Sequence, residues 1–73
     1  MIALPVLSGF ECLKILLKHG YYIRRQEGSH IIMRKDSLFS QIVVPNHKTL
    51  DKGNLRAIIR QSGLSIETFL GDG

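Results

Sequence analysis

The sequence is short of several things, and each shortage removes a class of protein. It holds one cysteine, Cys12. A lone cysteine makes no internal disulfide, so the chain is not a disulfide-stapled secreted scaffold. The same count excludes zinc frameworks of four cysteines or of two cysteines and two histidines. There is no tryptophan and there are only two prolines. No apolar run approaches the roughly 20 residues that a membrane-spanning helix requires. Met1 to Val6 lacks the basic stretch and following apolar segment of a secretory signal. The expectation is a soluble cytoplasmic protein with no membrane partner. Internal repeats, low-complexity tracts and linkers are also missing, so residues 1–73 read as a single domain. A chain of this length buries roughly 60% of its unfolded surface on folding. That supports one small core, with no room for a doubly wound sheet or an enclosed cofactor cavity.

Acidic residues are the last scarcity. Asp and Glu number 6 against 10 for Lys and Arg, a formal charge of +4, and the isoelectric point is near 9.7. Such a bias predicts an anionic partner: nucleic acid, an acidic protein or, less in keeping with the rest, a membrane surface. The hydrophobic fraction of 44% is enough to collapse the chain.

Ser8-Gly9-Phe10-Glu11 has the form of a capping box opening a helix. Phe10, Leu13, Leu16 and Leu17 follow at helical spacing on the expected core face, with Glu11, Lys14 and Lys18 opposite. Ile15 falls among the polar residues and is expected on the outside. Gly20 is the expected stop. Three short runs come next: Tyr21 to Gln26, Ser29 to Arg34 and Phe39 to Val44. Glu27-Gly28 and Lys35-Asp36-Ser37 are the turns between them, and Pro45 is the end. Ile31 and Ile32 make the second run apolar. After a polar loop from Asn46 to Leu50, a second helix opens near Asp51. It carries Leu55, Ile58, Ile59 and Ser62 on one face and ends at Gly63. Ser65 caps a final helical turn with Ile66, Phe69 and Leu70. Two amphipathic helices cover one face of a three-stranded antiparallel sheet. The other face is left open, presenting Tyr22, Arg24 and Gln26 or their alternates. The reading is α+β, like a double-stranded-RNA-binding domain.

Histidines stand at positions 19, 30 and 47, without the paired spacing of helical metal sites. No metal or other cofactor is expected. His19 suits the negative end of the first helix. His30 opens the second strand beside a tight turn, with Arg24, Arg25 and Arg34 close in the paired strands. Imidazole moves protons near neutral pH, and guanidinium groups hold phosphate and stabilise charge in phosphoryl transfer. RNA supplies its own nucleophile, the 2′-hydroxyl. A proton acceptor and a charge clamp therefore make a ribonuclease without a cofactor. Arg25 and Arg34 are the candidate clamps, Gly28 leaves space for a backbone, and Ser29 orients the turn. Lys48, Lys52, Arg56 and Arg60 form a second candidate phosphate track, near a helix N-terminus that itself attracts anions. A lone strand histidine is more often an ordinary surface residue, and a basic helix flank is as often only solvated. From the residues alone, a non-catalytic RNA-binding module and a protein-interaction subunit both stay open.

Certain segments are distinctive together. They are Leu4-Pro5-Val6-Leu7-Ser8-Gly9, Gly20-Tyr21, Arg25-Gln26-Glu27-Gly28-Ser29-His30, Val44-Pro45-Asn46-His47, and the run from Gly53-Asn54-Leu55-Arg56 to Gln61-Ser62-Gly63-Leu64-Ser65. In this order the chain resembles, over essentially its whole length, the HicA or YcfA-like family of toxins from type II toxin–antitoxin systems. The resemblance implies a double-stranded-RNA-binding-like fold and a metal-independent endoribonuclease that cleaves mRNA and arrests translation. It implies catalysis by the histidine of the Gly-Ser-His segment, His30 here. It also implies a HicB-type antitoxin that covers the His30 face.

Overall fold

The computed structural model describes residues 3–71. Met1 and Ile2, where the N-terminal reading began, lie outside them. The elements are α1 (Gly9–Lys18), β1 (Tyr22–Glu27), β2 (His30–Lys35), β3 (Ser40–Pro45), α2 (Lys52–Ser62) and α3 (Ile66–Leu70). This is the expected α+β order, a helix, a three-stranded antiparallel sheet and then helices, in the manner of a double-stranded-RNA-binding domain. The sheet order is β1-β2-β3.

Local chemistry sets each boundary. Ser8 Oγ accepts from the Glu11 amide at 3.0 Å, and the Ser8 amide donates to Glu11 Oε1 at 2.9 Å. This is a complete capping box at the start of α1. At the other end the Tyr21 amide donates to the Leu16 carbonyl, closing the last turn in Schellman fashion. His19 adds its ring, with Nδ1 donating to the Ile15 carbonyl at 3.0 Å. Asp51 caps α2 by accepting from the Asn54 amide at 2.7 Å, and Gly63 ends it in the left-handed conformation. Ser65 caps α3.

The buried face of α1 differs from the expected one. Gly9, Cys12, Leu13 and Leu16 face the core, while Phe10 and Leu17 are 58% and 44% exposed. Ile15 is half-buried against the core rather than outside it. Ile15 and Leu17 sit on opposite flanks of the buried stripe. α3 lies beside the Ile15 flank, where Phe69 and Leu70 line a groove with it. The Phe10–Leu17 flank has no such cover. The close approach of α1 to the sheet rests on Gly9: a Cβ there would overlap the Pro45 carbonyl oxygen. The Gly9 amide also donates to the His47 carbonyl at 2.9 Å.

The core joins α1 and α2 to Ile31 and Met33 of β2 and to Ile42 and Val44 of β3, with Phe69 from α3 and Leu4 from the leading segment. Leu50, expected to end a polar loop, is buried and anchors that loop to the core. Its amide donates to the Leu7 carbonyl at 2.8 Å. The helices lie over β3 and β2, and β1 is exposed along its whole length. Each strand begins and ends one residue later than expected. The residues between β1 and β2 are Gly28-Ser29, not Glu27-Gly28. Gly28 has φ of +59° and Ser29 is not positive, as in a two-residue hairpin with glycine first.

Candidate functional site

Residues directly opposite one another in an antiparallel pair project to the same side of the sheet. The register between β2 and β3 pairs His30 with Pro45, Ile32 with Val43 and Arg34 with Gln41. Ile31, Met33, Ile42 and Val44 belong to the core, so the first set faces away from it. On the other side of β2 the partners are Glu27 for His30, Arg25 for Ile32 and Tyr22 for Arg34. Tyr22 and Arg25 share a face although they lie three apart, because Arg24 is an extra residue at a β-bulge. The expected alternation of Tyr22, Arg24 and Gln26 on one face is therefore broken. The bulge carries Arg25 onto the open face and Gln26 off it. The uncovered surface consists of Tyr22, Arg25, Glu27, His30, Ile32, Arg34, Gln41 and Val43. Ile32 is buried even here, between its cross-strand neighbours Arg25 and Val43. This is why both Ile31 and Ile32 are apolar: the central strand is covered on both sides.

His30 stands exposed at one end of this face, as the residue that closes the hairpin. Opposite Cβ atoms are about 4.5–5.5 Å apart in such pairs, so Glu27 is its neighbour across the strands. Arg25 Nε donates to Glu27 Oε2 at 2.7 Å, the one ion pair among the described residues. The turn is held by Gln26 Nε2, which donates to the Gly28 carbonyl at 3.1 Å. The Asn46 amide donates to the Ser29 carbonyl at 2.6 Å, which ties the hairpin to the loop after β3. No atom would lie within 4 Å of a Cβ at Gly28, so solvent reaches the turn freely. A base, a carboxylate and a guanidinium thus lie side by side on an open surface.

At the other end Arg34 is fixed in place. Its Nε and Nη2 donate to Gln41 Oε1 at 3.1 and 2.8 Å. Its guanidinium carbon lies 5.3 Å from the centre of the Phe39 ring. Tyr22, opposite Arg34, donates its hydroxyl to Asp36 at 3.1 Å.

The remaining candidates do not all join this face. Lys48 is exposed in the loop that follows β3, and Lys52 is the exposed first residue of α2. Arg56 and Arg60 project from α2 in the helix layer, on the far side of the sheet from His30. There they border a shallow groove with Ile59, Leu64 and Ile66. Lys48, Lys52, Arg56 and Arg60 are therefore not one track with Arg25 and Arg34. His47 lies in the loop beside the hairpin, and its carbonyl serves α1. Among the described residues, no group of three or more His, Cys, Asp or Glu is placed to hold a metal ion. No helix among them is long and apolar enough to cross a membrane.

A family described as the HicA toxin of bacterial toxin–antitoxin systems matches residues 9–64, from the first residue of α1 to just beyond α2. The chain belongs to the HicA toxin family. The match contains the whole sheet and hence His30 with the face around it. No curated protein and no solved structure shows significant similarity to the chain. As a HicA toxin it is one half of a toxin–antitoxin pair, and an antitoxin is its partner.

Two features of this HicA chain escape a reading by position alone. Glu27 reads as a turn residue, yet it faces His30. Shifting the hairpin by one residue, to the glycine-first Gly28-Ser29 loop, was the signal that could have found it. Gln41 and Phe39 carry no signal in the sequence, because they meet Arg34 only in the folded sheet.

Proposed function

We propose that this HicA toxin is a metal-independent endoribonuclease acting on mRNA in the cytoplasm, with His30 as the proton acceptor. The observation that carries the reading is an exposed histidine on an uncovered sheet face that also carries Arg25 and Arg34, next to a hairpin open to solvent. His30 takes the proton of a ribose 2′-hydroxyl. The 2′-oxygen bonds to phosphorus as the bond to the 5′-oxygen breaks. The products are a 2′,3′-cyclic phosphate and, once water has given a proton to the leaving oxygen, a 5′-hydroxyl. No metal is required, because the nucleophile belongs to the RNA. Arg25, at the His30 end of the face, supplies the guanidinium that stabilises a phosphorane-like transition state, and Arg34, further along the face, adds positive charge that draws the RNA backbone in. Gly28 and Ser29 form the edge over which the RNA backbone passes. Lys48 and Lys52 extend the attraction from the loop and helix start at the rim, while Arg56 and Arg60 act at longer range from the helix layer. A HicB-type antitoxin covers the His30 face and so blocks the substrate.

The test is paired expression of the wild type and His30→Ala under tight induction, with growth and RNA ends followed in both cultures. Wild type alone should arrest growth and create new RNA ends. His30 is exposed and outside the core, so the purified variant keeps the fold by circular dichroism. Cleavage by the purified variant at the wild-type rate would remove His30 from the chemistry. Salt-sensitive RNA binding without cleavage by either protein would leave a binding module.

A further inference from the structure

The end of the open face far from His30 holds an arrangement that phosphate binding does not explain. Arg34 spends two of its N–H donors on Gln41 Oε1, so much of the fork that would grip a phosphate is already engaged. What that engagement does is hold the guanidinium plane still. Phe39 lies against it, 5.3 Å from ring centre to guanidinium carbon, and is itself 65% exposed. Tyr22 stands across the strand from Arg34, and its hydroxyl is tied to both carboxylate oxygens of Asp36, at 3.1 and 3.3 Å. Arg34 and Tyr22 are thus each pinned by a polar edge, and the Phe39 ring beside Arg34 offers exposed flat surface. The chain spends backbone strain to complete the set. Leu38 adopts a φ of +56°, the only positive φ at a non-glycine residue among those described, and is 90% exposed. Its side chain gains nothing from packing there, but the turn brings Phe39 back over Arg34.

We infer that Tyr22, Arg34 and Phe39 form a stacking subsite for an unpaired nucleobase of single-stranded RNA. Bases stack on aromatic rings and on arginine planes without regard to sequence. Fixing those planes in advance lowers the ordering cost of binding. The net charge of +4 favours an anionic occupant, and RNA is the anion that also brings flat bases to stack. His30 and Arg34 stand four positions apart on β2, about 13 Å at the usual strand rise. A base held at Arg34 therefore lies a few nucleotides from a phosphate at His30, and the subsite sets which phosphate reaches the histidine. The inference rests on the ribonuclease reading for the identity of the ligand.

The experiment uses the full chain carrying His30→Ala, so that RNA is not consumed, and a short fluorophore-labelled single-stranded RNA. Binding is followed by anisotropy. Tyr22→Ala and Phe39→Ala should each weaken binding about tenfold, within the range known for loss of one base stack. Phe39→Tyr should bind as the parent does, and Tyr22→Phe, which keeps the ring but loses the tie to Asp36, should weaken binding by less than Tyr22→Ala. An abasic position walked along the RNA should weaken binding to the parent at one site, and that effect should vanish in Phe39→Ala. If the alanine variants bind RNA as tightly as the parent, the subsite is wrong while the ribonuclease reading stands. If they lose affinity for the antitoxin alone, the patch is a protein interface and the subsite is wrong. If the parent binds no RNA, both readings fall. Circular dichroism melts of each variant separate loss of the site from loss of the fold.

Discussion

A single methyl group at position 9 would occupy space that the Pro45 carbonyl already fills. Backbone cannot step aside as a side chain can, so α1 would have to lift from β3. Overpacking of this kind costs about 1–3 kcal/mol, and the affected contact also carries the hydrogen bond from the Gly9 amide to His47. Gly9→Ala should therefore lower stability by about 2–3 kcal/mol, measured by urea unfolding. A loss under about 0.5 kcal/mol, ordinary for a helix surface position, would show that α1 does not seat as closely as described. The sequence shows Gly9 only as the residue after a cap. Its role comes from Pro45, 36 positions later (45 − 9). His30 is the opposite case: its neighbours in the chain already suggested chemistry, and folding added Glu27 across the hairpin.

At the scale of elements, caps and turn residues marked nearly every boundary. Ser8 with Glu11, Asp51, Gly63 and Ser65 act where the chain pattern placed them. Phase was harder. The apolar residues of α1 span more than one face, and α3 decides which flank is covered. In β1 one bulged residue, Arg24, exchanges the faces of everything after it. The loop before β3 shows strain of its own. A left-handed residue other than glycine costs about 1–2 kcal/mol, and glycine gives back about 0.5–1 kcal/mol in chain entropy. Leu38→Gly should thus raise stability by about 0.5 kcal/mol, since the exposed Leu38 side chain has little packing to lose. A thermal unfolding series checks this, and a clear loss of stability would mean that the left-handed turn is not the native one.

For the whole molecule, two helices cover β2 and β3 from one side and leave β1 free on both. That distribution puts Arg25, His30 and Arg34 on one surface and Arg56 and Arg60 on another. It also buries Cys12 completely. Burial, with a smaller push from Glu11, moves its thiol from 9.0 up to about 11. The folded chain then keeps a proton that the unfolded chain releases, so stability is intact below pH 9 and falls as pH rises from 9 toward 11. Urea unfolding across that window should show a steeper decline for the wild type than for Cys12→Ala, which lacks the thiol. Parallel declines would place the thiol in contact with water. The sequence by itself determined the element order, the basic charge and the histidine beside the hairpin, because caps, turns and apolar spacing act over a few neighbouring residues. Only the tertiary structure decided the seating of Gly9, the flank of α1 that is buried, the facing of His30 and Glu27, and the separation of the two basic regions. Those depend on strand register and on which surfaces meet, and both are settled between residues far apart in the chain.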